Sequence, residues 1–454
     1  MNESNRCFYR GCAIPLLGQY DAVIVGGGAT GVSAGISAAK NGLHTLIAEK
    51  SIRLGGTCTN ALVTPMMRSF TGHYDNFYAI EHKLEENGCT VRDELGTQMR
   101  WFNAEAMAQS LEELYLAAGG EILYDAVLSD CLCGKDGCIH TLIFTTVEGL
   151  CAVEGRTFVD ASGDAALARA AGAPVQAGDA NGNNQMSSLR FEMGGIDIEA
   201  YRQYLLSLHD TYSQFDHGSC YESAMVGGRG FVLEPLFQKG VKDGVLLPQD
   251  LRYYQNFSLP GKPGCMSFNC PHIASLTNNT TAMARSRAIS EGRAMMRRMV
   301  RFLCGYMPGF EHAYLLQEAS MLGIRESWRL EGEYILTEDD YTNQARFDDG
   351  IARGDWYIDV HSATKGLFHQ NTYHDGDYYE IPYRSLVCAA VPNLVTAGRC
   401  ISATFLMQAS IRILPTVIDI GQAAGTACVL SMRTGTPLQQ LDGRTLRTEL
   451  GPMR

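Results

Sequence analysis

Four residues in the last third of the chain have side chains that could move protons or bind anions. Asp359 and His361 stand two residues apart in "YIDVH", so a strand would place both on one face. Arg325 stands in "GIRES" and Arg412 in "SIRILPT". A histidine beside a carboxylate can accept or donate a proton, and a guanidinium can bind a carboxylate or polarise a carbonyl. We therefore predict these four as catalytic residues.

Each of the four also has a purely structural alternative. Arg325 can form an ion pair with the neighbouring Glu326, and a lone histidine can be a hydrogen-bonded core residue. His361 is favoured because Asp359 shares its face. Tyr383 and Arg384 in "IPYRSL" form a further candidate pair, and His369 and His374, in a predicted loop, are weaker candidates.

The N-terminal part of the chain predicts a strand, a glycine-rich turn and a helix, which belong to the scaffold that must position these residues. In "YDAVIVGGGATGVSAGISAAK", residues 22–25 form a short buried strand, and Gly26, Gly28 and Gly31 then form G-x-G-x-x-G. The first glycine permits a tight turn, the second lets the backbone approach a pyrophosphate, and the third allows the following helix to pack closely. The helix N-terminus supplies N–H groups and partial positive charge to the phosphates.

A second strand and a terminal acid complete this unit. Residues 43–48 are predicted to form this strand, and Glu49 lies at its end. A carboxylate at this place accepts hydrogen bonds from ribose hydroxyls and disfavours a 2′-phosphate. The ligand should therefore be FAD or NAD rather than NADP.

Four further segments resemble parts of flavoproteins with the glutathione-reductase-like fold, and this resemblance favours FAD over NAD. "RLGGTCTNALVTP" resembles the segment beside the flavin ring, and "VDASGD" resembles the second flavin motif. "VTAGR" resembles the strand end beside the ribityl chain, and "ILPTVIDIGQ" begins a helix whose N–H groups would point at the flavin.

The first of these segments also resembles the redox-active stretch of the disulfide reductases. Those enzymes have a second cysteine where this chain has Val63, and a disulfide needs both. They also need a second nucleotide domain, and "VGGRGF" at 226–231 has no convincing strand and helix around it. We therefore reject this function. Cys58 remains a space-filling side chain in the preferred interpretation, with a redox thiol or a covalent flavin link as alternatives.

Over nearly its whole length the chain resembles the FAD-dependent oxidoreductases that are relatives of the fumarate-reductase-like flavoproteins. Besides the segments above, the resemblance is carried by "PGFE", "GIRES", "YIDVH", "IPYRSL" and "GQAAGTA". It implies an α/β fold, with a Rossmann-like FAD-binding domain and an inserted α+β substrate domain. The expected divisions are 20–173 and 385–434 for the FAD domain, 174–384 for the insertion and 435–454 for a tail.

Motifs and resemblance together predict the cofactor contacts. They are Gly26, Gly28, Ala29, Thr30, Gly31, Glu49, Lys50, Gly55, Gly56, Thr57, Cys58, Val127, Ala161, Ser162, Gly163, Asp164, Gly398, Arg399, Leu414, Pro415 and Thr416.

Composition limits the other ligands. The net charge of −12 disfavours nonspecific nucleic-acid binding. No apolar run suits a membrane span or a signal peptide, so we expect a cytoplasmic protein without membrane attachment. The 15 cysteines include no C-x-x-C pair, and Cys270 and His272 in "FNCPHI" lack an evident third ligand. We therefore expect free thiols and no metal.

The resemblance implies an FAD-dependent oxidoreductase that transfers hydride between flavin N5 and a small organic substrate. The alternative is a flavin-bearing electron-transfer subunit with a redox partner protein. A homo-oligomer is compatible with either function.

Overall fold

The computed structural model describes residues 6–88, 90–92, 99–216, 218–273, 278–362 and 366–454. Its largest sheet has eight strands: Arg6–Tyr9, Cys12–Val25, Thr45–Ala48, Glu121–Leu123, Val127–Cys133, Ile139–Thr146, Gly149–Asp160 and Leu394–Thr396.

Five of these strands run parallel and form the Rossmann-like centre of the sheet. Their order is Glu121–Leu123, Thr45–Ala48, Cys12–Val25, Gly149–Asp160 and Leu394–Thr396. Where Cys12–Val25 and Gly149–Asp160 pair near their carboxyl ends, at 22–25 and 157–160, every residue is buried, as expected of strands covered on both faces. The predicted α/β class is therefore confirmed.

Two helices cross closely over one face of this sheet. Ala29–Lys40 follows the glycine turn, and Leu414–Thr434 follows the last strand. A Cβ at Gly421 would lie 2.2 Å from the Thr30 carbonyl oxygen, and one at Gly425 would meet the same helix equally closely. Small residues are therefore needed wherever these backbones touch.

A second sheet has its own core. Its six strands are Gln214–Asp216, Ser219–Met225, Tyr254–Ser258, Met266–Phe268, Phe191–Gly194 and Tyr314–Glu318, in that spatial order. Aromatic and methionine side chains pack between it and the helices Ile198–Ser207, Glu234–Lys242 and Ala282–Tyr306. All six strands fall within 174–384, the range predicted for the insertion, although the boundaries themselves stay predictions.

Short elements complete the described chain. A three-stranded sheet contains Pro65–Met66, Thr90–Arg92 and Arg100–Phe102. Four strand pairs are Val175–Ala177 with Trp328–Leu330, Ser187–Ser188 with His272–Ile273, Gly350–Gly354 with Tyr379–Pro382, and Ile358–Ser362 with Gly366–Gln370. The other α-helices are Asp75–Glu86, Ala104–Ala117, Ala166–Ala170, Glu338–Thr342, Phe405–Ile411 and Gly443–Leu450. The 3-10 turns are Gly56–Cys58, Pro248–Leu251, Tyr383–Ser385 and Leu438–Gln440.

Some sequence-based boundaries are wrong for local reasons. Periodicity predicts a helix from residue 100, but the helix begins at Ala104 because the Asn103 side chain accepts a hydrogen bond from the Ala106 N–H at 2.8 Å. Periodicity also predicts one strand over 121–127. Asp125, with a φ of 51°, separates two strands there. His369 lies in a strand and not in a loop.

Two further features concern helices and cysteines. In the described ranges, no single helix is long and apolar enough to cross a membrane, and Phe405–Ile411 with Leu414–Thr434 pass that test only as a pair bent by 92°. Of the cysteines, Cys89 lies outside the described residues, and the other 14 are free thiols.

Candidate functional site

A cavity of about 600 Å³ opens at the carboxyl ends of the parallel strands. Val25, Ala48, Ala161 and Ala397, each at or just after a strand end, line it. Its size is that of an ordinary cofactor site, and its place is the crevice where sheets of this type bind ligands.

Most of the predicted cofactor residues lie around this cavity. The exceptions are Gly31, Pro415 and Thr416, which are not among its lining residues. A Cβ at Gly31 would approach the Gly26 carbonyl oxygen to 2.0 Å, so this glycine serves the packing of the helix against the turn. The lining residues that no motif predicted include Val63, Arg285, Ser320, Met321, Ile324 and Val417.

The glycine turn leaves space where a ligand would sit. Gly26 has a φ of 100°, and a Cβ there would clash with the Ala161 carbonyl oxygen at 2.6 Å. A Cβ at Gly28 would instead meet no atom within 4 Å and would project into open space. Gly28 is also the N-cap of the helix Ala29–Lys40 and provides no capping side chain. The first N–H groups of that helix are therefore available to an anion.

Glu49 lines the cavity with a carboxylate that is already oriented. One oxygen accepts from the Gly27 N–H at 2.7 Å, and the other accepts from the Ser51 N–H at 2.9 Å and its hydroxyl at 2.8 Å. An ionised carboxylate has about four acceptor positions. Glu49 therefore keeps capacity for a ribose hydroxyl.

Asp164 carries the densest charge network on the cavity wall. Arg285 donates to both of its oxygens at 2.8 and 2.9 Å, and Arg399 donates to one of them at 2.9 Å. Burial alone would raise the pKa of Asp164, but Arg399 and Arg285 outweigh burial and hold that pKa well below its usual value. The wall is thus a carboxylate held between two cations.

Cys58 lies on the same wall as a buried, protonated thiol. Its Sγ lies 3.0 Å from the Gly55 carbonyl oxygen, and burial raises its pKa to about 12. Because the thiolate is the reactive form, a thiol with this pKa is a poor nucleophile near neutral pH. The space-filling interpretation of Cys58 is therefore favoured over the redox and covalent alternatives.

Arg412 connects the cavity to a cluster of polar residues. It lies at the 92° corner between Phe405–Ile411 and Leu414–Thr434 and lines the cavity. One of its terminal nitrogens donates to the Asp359 carbonyl oxygen at 2.9 Å and lies 3.4 Å from its carboxylate. Its Nε is buried without a hydrogen-bond partner in the described part of the chain.

The Asp359 carboxylate is the centre of that cluster. His361 Nε2 lies 3.1 Å from one oxygen, and His369 Nε2 lies 2.9 Å from the other. Burial would raise the pKa of Asp359, but His361, His369 and Arg412 together hold it well below its usual value. Asp359 is therefore an ionised acceptor that fixes the ring of His361.

His361 is neutral and has one unused nitrogen. Burial, followed by the charge of Arg325, lowers its pKa to about 4. Its Nδ1 is buried and makes no hydrogen bond to any described residue. Neither His361 nor Asp359 is among the lining residues of the cavity, so Arg412 forms their link to it.

Arg325 has other partners than the one expected. It donates to the Met186 carbonyl oxygen at 2.9 Å, to Ser188 Oγ at 2.7 Å and to His272 Nε2 at 2.9 Å. The ion pair with Glu326, which was the structural alternative, does not form, because Glu326 pairs with Arg329 instead. Arg325 therefore belongs to the polar cluster, through a histidine that the sequence suggested only as an incomplete metal motif.

Apart from His369, the other candidates make structural contacts outside this cluster. The Tyr383 hydroxyl donates to the Leu438 carbonyl oxygen at 2.8 Å, and Arg384 pairs with Asp349 at 2.9 Å, half exposed. His374 is almost fully exposed and pairs with Asp377. In the described ranges, no group of three or more His, Cys, Asp or Glu side chains could hold a metal ion.

Comparison with known proteins decides the family. The model of the FAD-dependent oxidoreductase family matches residues 21–450. This chain belongs to the FAD-dependent oxidoreductase family. Its cofactor is accordingly FAD, and the open space at Gly28, the spare acceptor capacity of Glu49 and the cations beside Asp164 fit that ligand.

Two curated relatives match much shorter parts of this chain than the family model does. It is 47% identical to dihydrolipoyl dehydrogenase of Trypanosoma brucei brucei over 60 residues, 13% of this chain and 11% of that protein. It is 34% identical to the mitochondrial dihydrolipoyl dehydrogenase of Schizosaccharomyces pombe over 74 residues, 16% of this chain and 14% of that protein. The chain therefore spans only a small part of these curated relatives.

Two solved structures cover nearly all of this oxidoreductase at low identity. A geranylgeranyl bacteriochlorophyll reductase-like protein from Thermoplasma acidophilum has 13% identity and a TM-score of 0.49, covering 95% of this chain and 90% of that one. The p-nitrophenol 4-monooxygenase of Pseudomonas putida has 9% identity and a TM-score of 0.49, covering 95% of this chain and 83% of that one.

Proposed function

We propose that this oxidoreductase transfers a hydride between FAD and a small organic substrate bound beside Arg412, Asp359 and His361. One observation carries the proposal: Arg412 lines the FAD cavity and also hydrogen-bonds Asp359, whose carboxylate accepts from His361. Groups suited to proton transfer and to anion binding are thereby connected to the cofactor cavity.

The residues that would hold FAD follow from the cavity wall. The turn at Gly26 and Gly28 would receive the pyrophosphate, and Glu49 would accept from the adenosine ribose. Asp164, oriented by Arg399, would accept from a hydroxyl of the ribityl chain. When bound, FAD supplies a two-electron centre that accepts or releases hydride.

His361 would handle the proton that accompanies the hydride. With Nε2 donating to Asp359, the neutral ring keeps a lone pair on the unpartnered Nδ1. This atom can take a proton from a substrate while Asp359 stabilises the resulting imidazolium. Arg412 would bind a carboxylate or polarise a carbonyl with its unpartnered Nε–H.

The test is rapid mixing, without oxygen, of the oxidised FAD-loaded protein with alcohols, hydroxy acids and amines, and of the dithionite-reduced protein with 2-oxo acids. For whichever compound reduces FAD, His361→Ala should slow single-turnover reduction by about 100-fold or more while FAD stays bound. His374→Ala is the matched control, because its side chain is 94% exposed. An unchanged rate in His361→Ala would remove that residue from the mechanism. If a reduced carrier protein reacts with the FAD and no small molecule does, the electron-transfer alternative replaces the proposal.

A further inference from the structure

The tautomer of His272 is fixed by Arg325. An arginine side chain is always a donor, and Arg325 lies 2.9 Å from His272 Nε2. Nε2 must therefore be the accepting nitrogen, which leaves the proton on Nδ1. Burial and the positive charge of Arg325 lower the pKa of His272 well below its usual value, so the ring stays neutral.

The tautomer of His361 is the opposite one. Its Nε2 faces the ionised Asp359 carboxylate at 3.1 Å and must donate to it. In the neutral ring, Nδ1 is then the acceptor. His272 thus offers a donor at Nδ1, and His361 offers an acceptor at the corresponding atom.

Both Nδ1 atoms are buried and have no hydrogen-bond partner among the residues that the structure describes. The two rings are neighbours, with centroids 5.0 Å apart and planes at 80°. Tyr253 stacks on His272 at 4.2 Å and meets the edge of His361 at 6.2 Å. Buried polar atoms in folded proteins are nearly always satisfied by protein groups, ordered water or a ligand, so an unpaired donor and an unpaired acceptor on neighbouring rings are suited to one hydroxyl group, of water or of a ligand.

A third unpaired atom adds charge to this pattern. Arg412 Nε is buried without a partner, and this arginine lies on the cavity wall. Arg412 and His361 both contact the same oxygen of Asp359, at 3.4 and 3.1 Å, so the cationic and the neutral groups adjoin each other. The charged groups that act on the two histidines are Arg325, Arg412, Arg190 and Asp359.

We propose that His272, His361 and Arg412 bind a small 2-hydroxycarboxylate. The substrate hydroxyl accepts from His272 Nδ1 and donates to His361 Nδ1, as a hydroxyl can do both at once. The carboxylate accepts from Arg412. The adjacency of the cation and the histidine pair favours a hydroxyl on the carbon next to the carboxylate.

This inference rests on the proposed function and specifies its chemistry. The hydroxyl proton would pass to His361 Nδ1, and bound FAD would supply the acceptor for the hydrogen that leaves the same carbon as a hydride. The carbon–oxygen single bond becomes a carbonyl, so the substrate is oxidised by two electrons to a 2-oxo acid and FAD is reduced by two. His272 keeps its proton and acts as a hydrogen-bond donor throughout.

The first measurement uses oxalate, a planar analogue of a 2-oxo acid that cannot be oxidised in this way. Its binding to the FAD-loaded protein is followed by the flavin difference spectrum and by calorimetry. His272→Asn retains an N–H donor near the position of Nδ1 and should bind oxalate within about threefold of the unchanged protein. His272→Gln moves the donor toward Nε2 and should weaken binding by about tenfold or more. Equal binding by both variants and the unchanged protein would overturn the role of His272.

The second measurement separates this inference from the proposed function. Glycolate, D-lactate and L-lactate are compared, without oxygen, with propane-1,2-diol and with an amine and alcohol panel. Reduction of FAD by a hydroxy acid but not by the diol supports the inference. Reduction only by diols, alcohols or amines overturns it and leaves the proposed function standing. If dithionite alone reduces the FAD, the proposed function itself fails.

Discussion

Arg285 donates hydrogen bonds to both carboxylate oxygens of Asp164, at 2.8 and 2.9 Å. Arg285 lies on the long helix that packs on the second sheet, and Asp164 lies just after a central parallel strand. The two residues are 121 positions apart in the chain, and both line the FAD cavity. The segment that builds the second core thereby contributes a cation to the cofactor site.

Replacing Arg285 with Met should weaken FAD binding without unfolding the protein. In this variant, Asp164 keeps its hydrogen bond from Arg399 but loses the bidentate one from Arg285. A hydrogen bond to a charged group contributes about 1.5–3 kcal/mol, which corresponds to roughly a 10- to 150-fold increase in the dissociation constant of FAD. Fluorescence titration of the apoprotein with FAD measures it. Arg293→Met is the control, because Arg293 is on the same helix but pairs at the surface with Glu318. Equal FAD affinity in both variants would contradict the role given to Arg285.

A methyl group added at Gly28 should lower FAD affinity, whereas one added at Gly31 should lower the stability of the fold. Gly28→Ala should keep the thermal stability of the apoprotein and lower its FAD affinity, because the new Cβ enters open space at the cavity. Gly31→Ala should lose several degrees of Tm even without FAD, because its Cβ would lie 2.0 Å from the Gly26 carbonyl oxygen. Scanning calorimetry of both apoproteins, followed by FAD titration, separates the two effects. A stable Gly31→Ala apoprotein would argue against the packing role.

Cys58 should resist alkylation in the folded protein. With burial raising its pKa to about 12, a negligible fraction is thiolate at pH 8, whereas Cys12 is exposed. Iodoacetamide treatment at pH 8, with peptides quantified by mass spectrometry, should label Cys12 first and Cys58 only after unfolding.

Acid precipitation should release FAD from both the unchanged protein and Cys58→Ala. Flavin retained in the pellet of the unchanged protein alone would establish the covalent alternative.

His361 should make the fold sensitive to mild acid. Its folded pKa of about 4 lies below the unfolded value of about 6.5, so the folded state favours the neutral ring. That stabilisation is complete above about pH 6.5 and is lost as the pH falls toward 4; the full amount is roughly 3 kcal/mol, and about 2 kcal/mol is lost by pH 5. Asp359 has a lowered pKa and adds a loss only at lower pH, through the usual range of a carboxyl group. Urea unfolding at pH 7 and pH 5 should therefore show a smaller drop for His361→Asn than for the unchanged protein. A drop of equal size would mean that His361 is not the group titrating.

Local signals predicted the cavity well and the polar cluster only in part. Gly26, Gly28 and Glu49 could be placed from the sequence because one strand–turn–helix–strand unit holds them within a few tens of residues. Arg285 gave no signal, since a lone arginine on an amphipathic helix looks like any solvated residue until tertiary packing brings it to Asp164. His272 was visible only as half of a metal pair, because its role depends on Arg325 and His361, which are remote in sequence.

The order of the parallel strands has a consequence for biosynthesis. Leu394–Thr396 and the helix Leu414–Thr434 complete the cavity but come after the whole second sheet. At about 5–20 residues per second on the ribosome, Leu414 is made roughly 20–70 s after Glu49, because the two are 365 positions apart. The part of the cavity wall around Glu49 is therefore completed only after Leu414 has been synthesised.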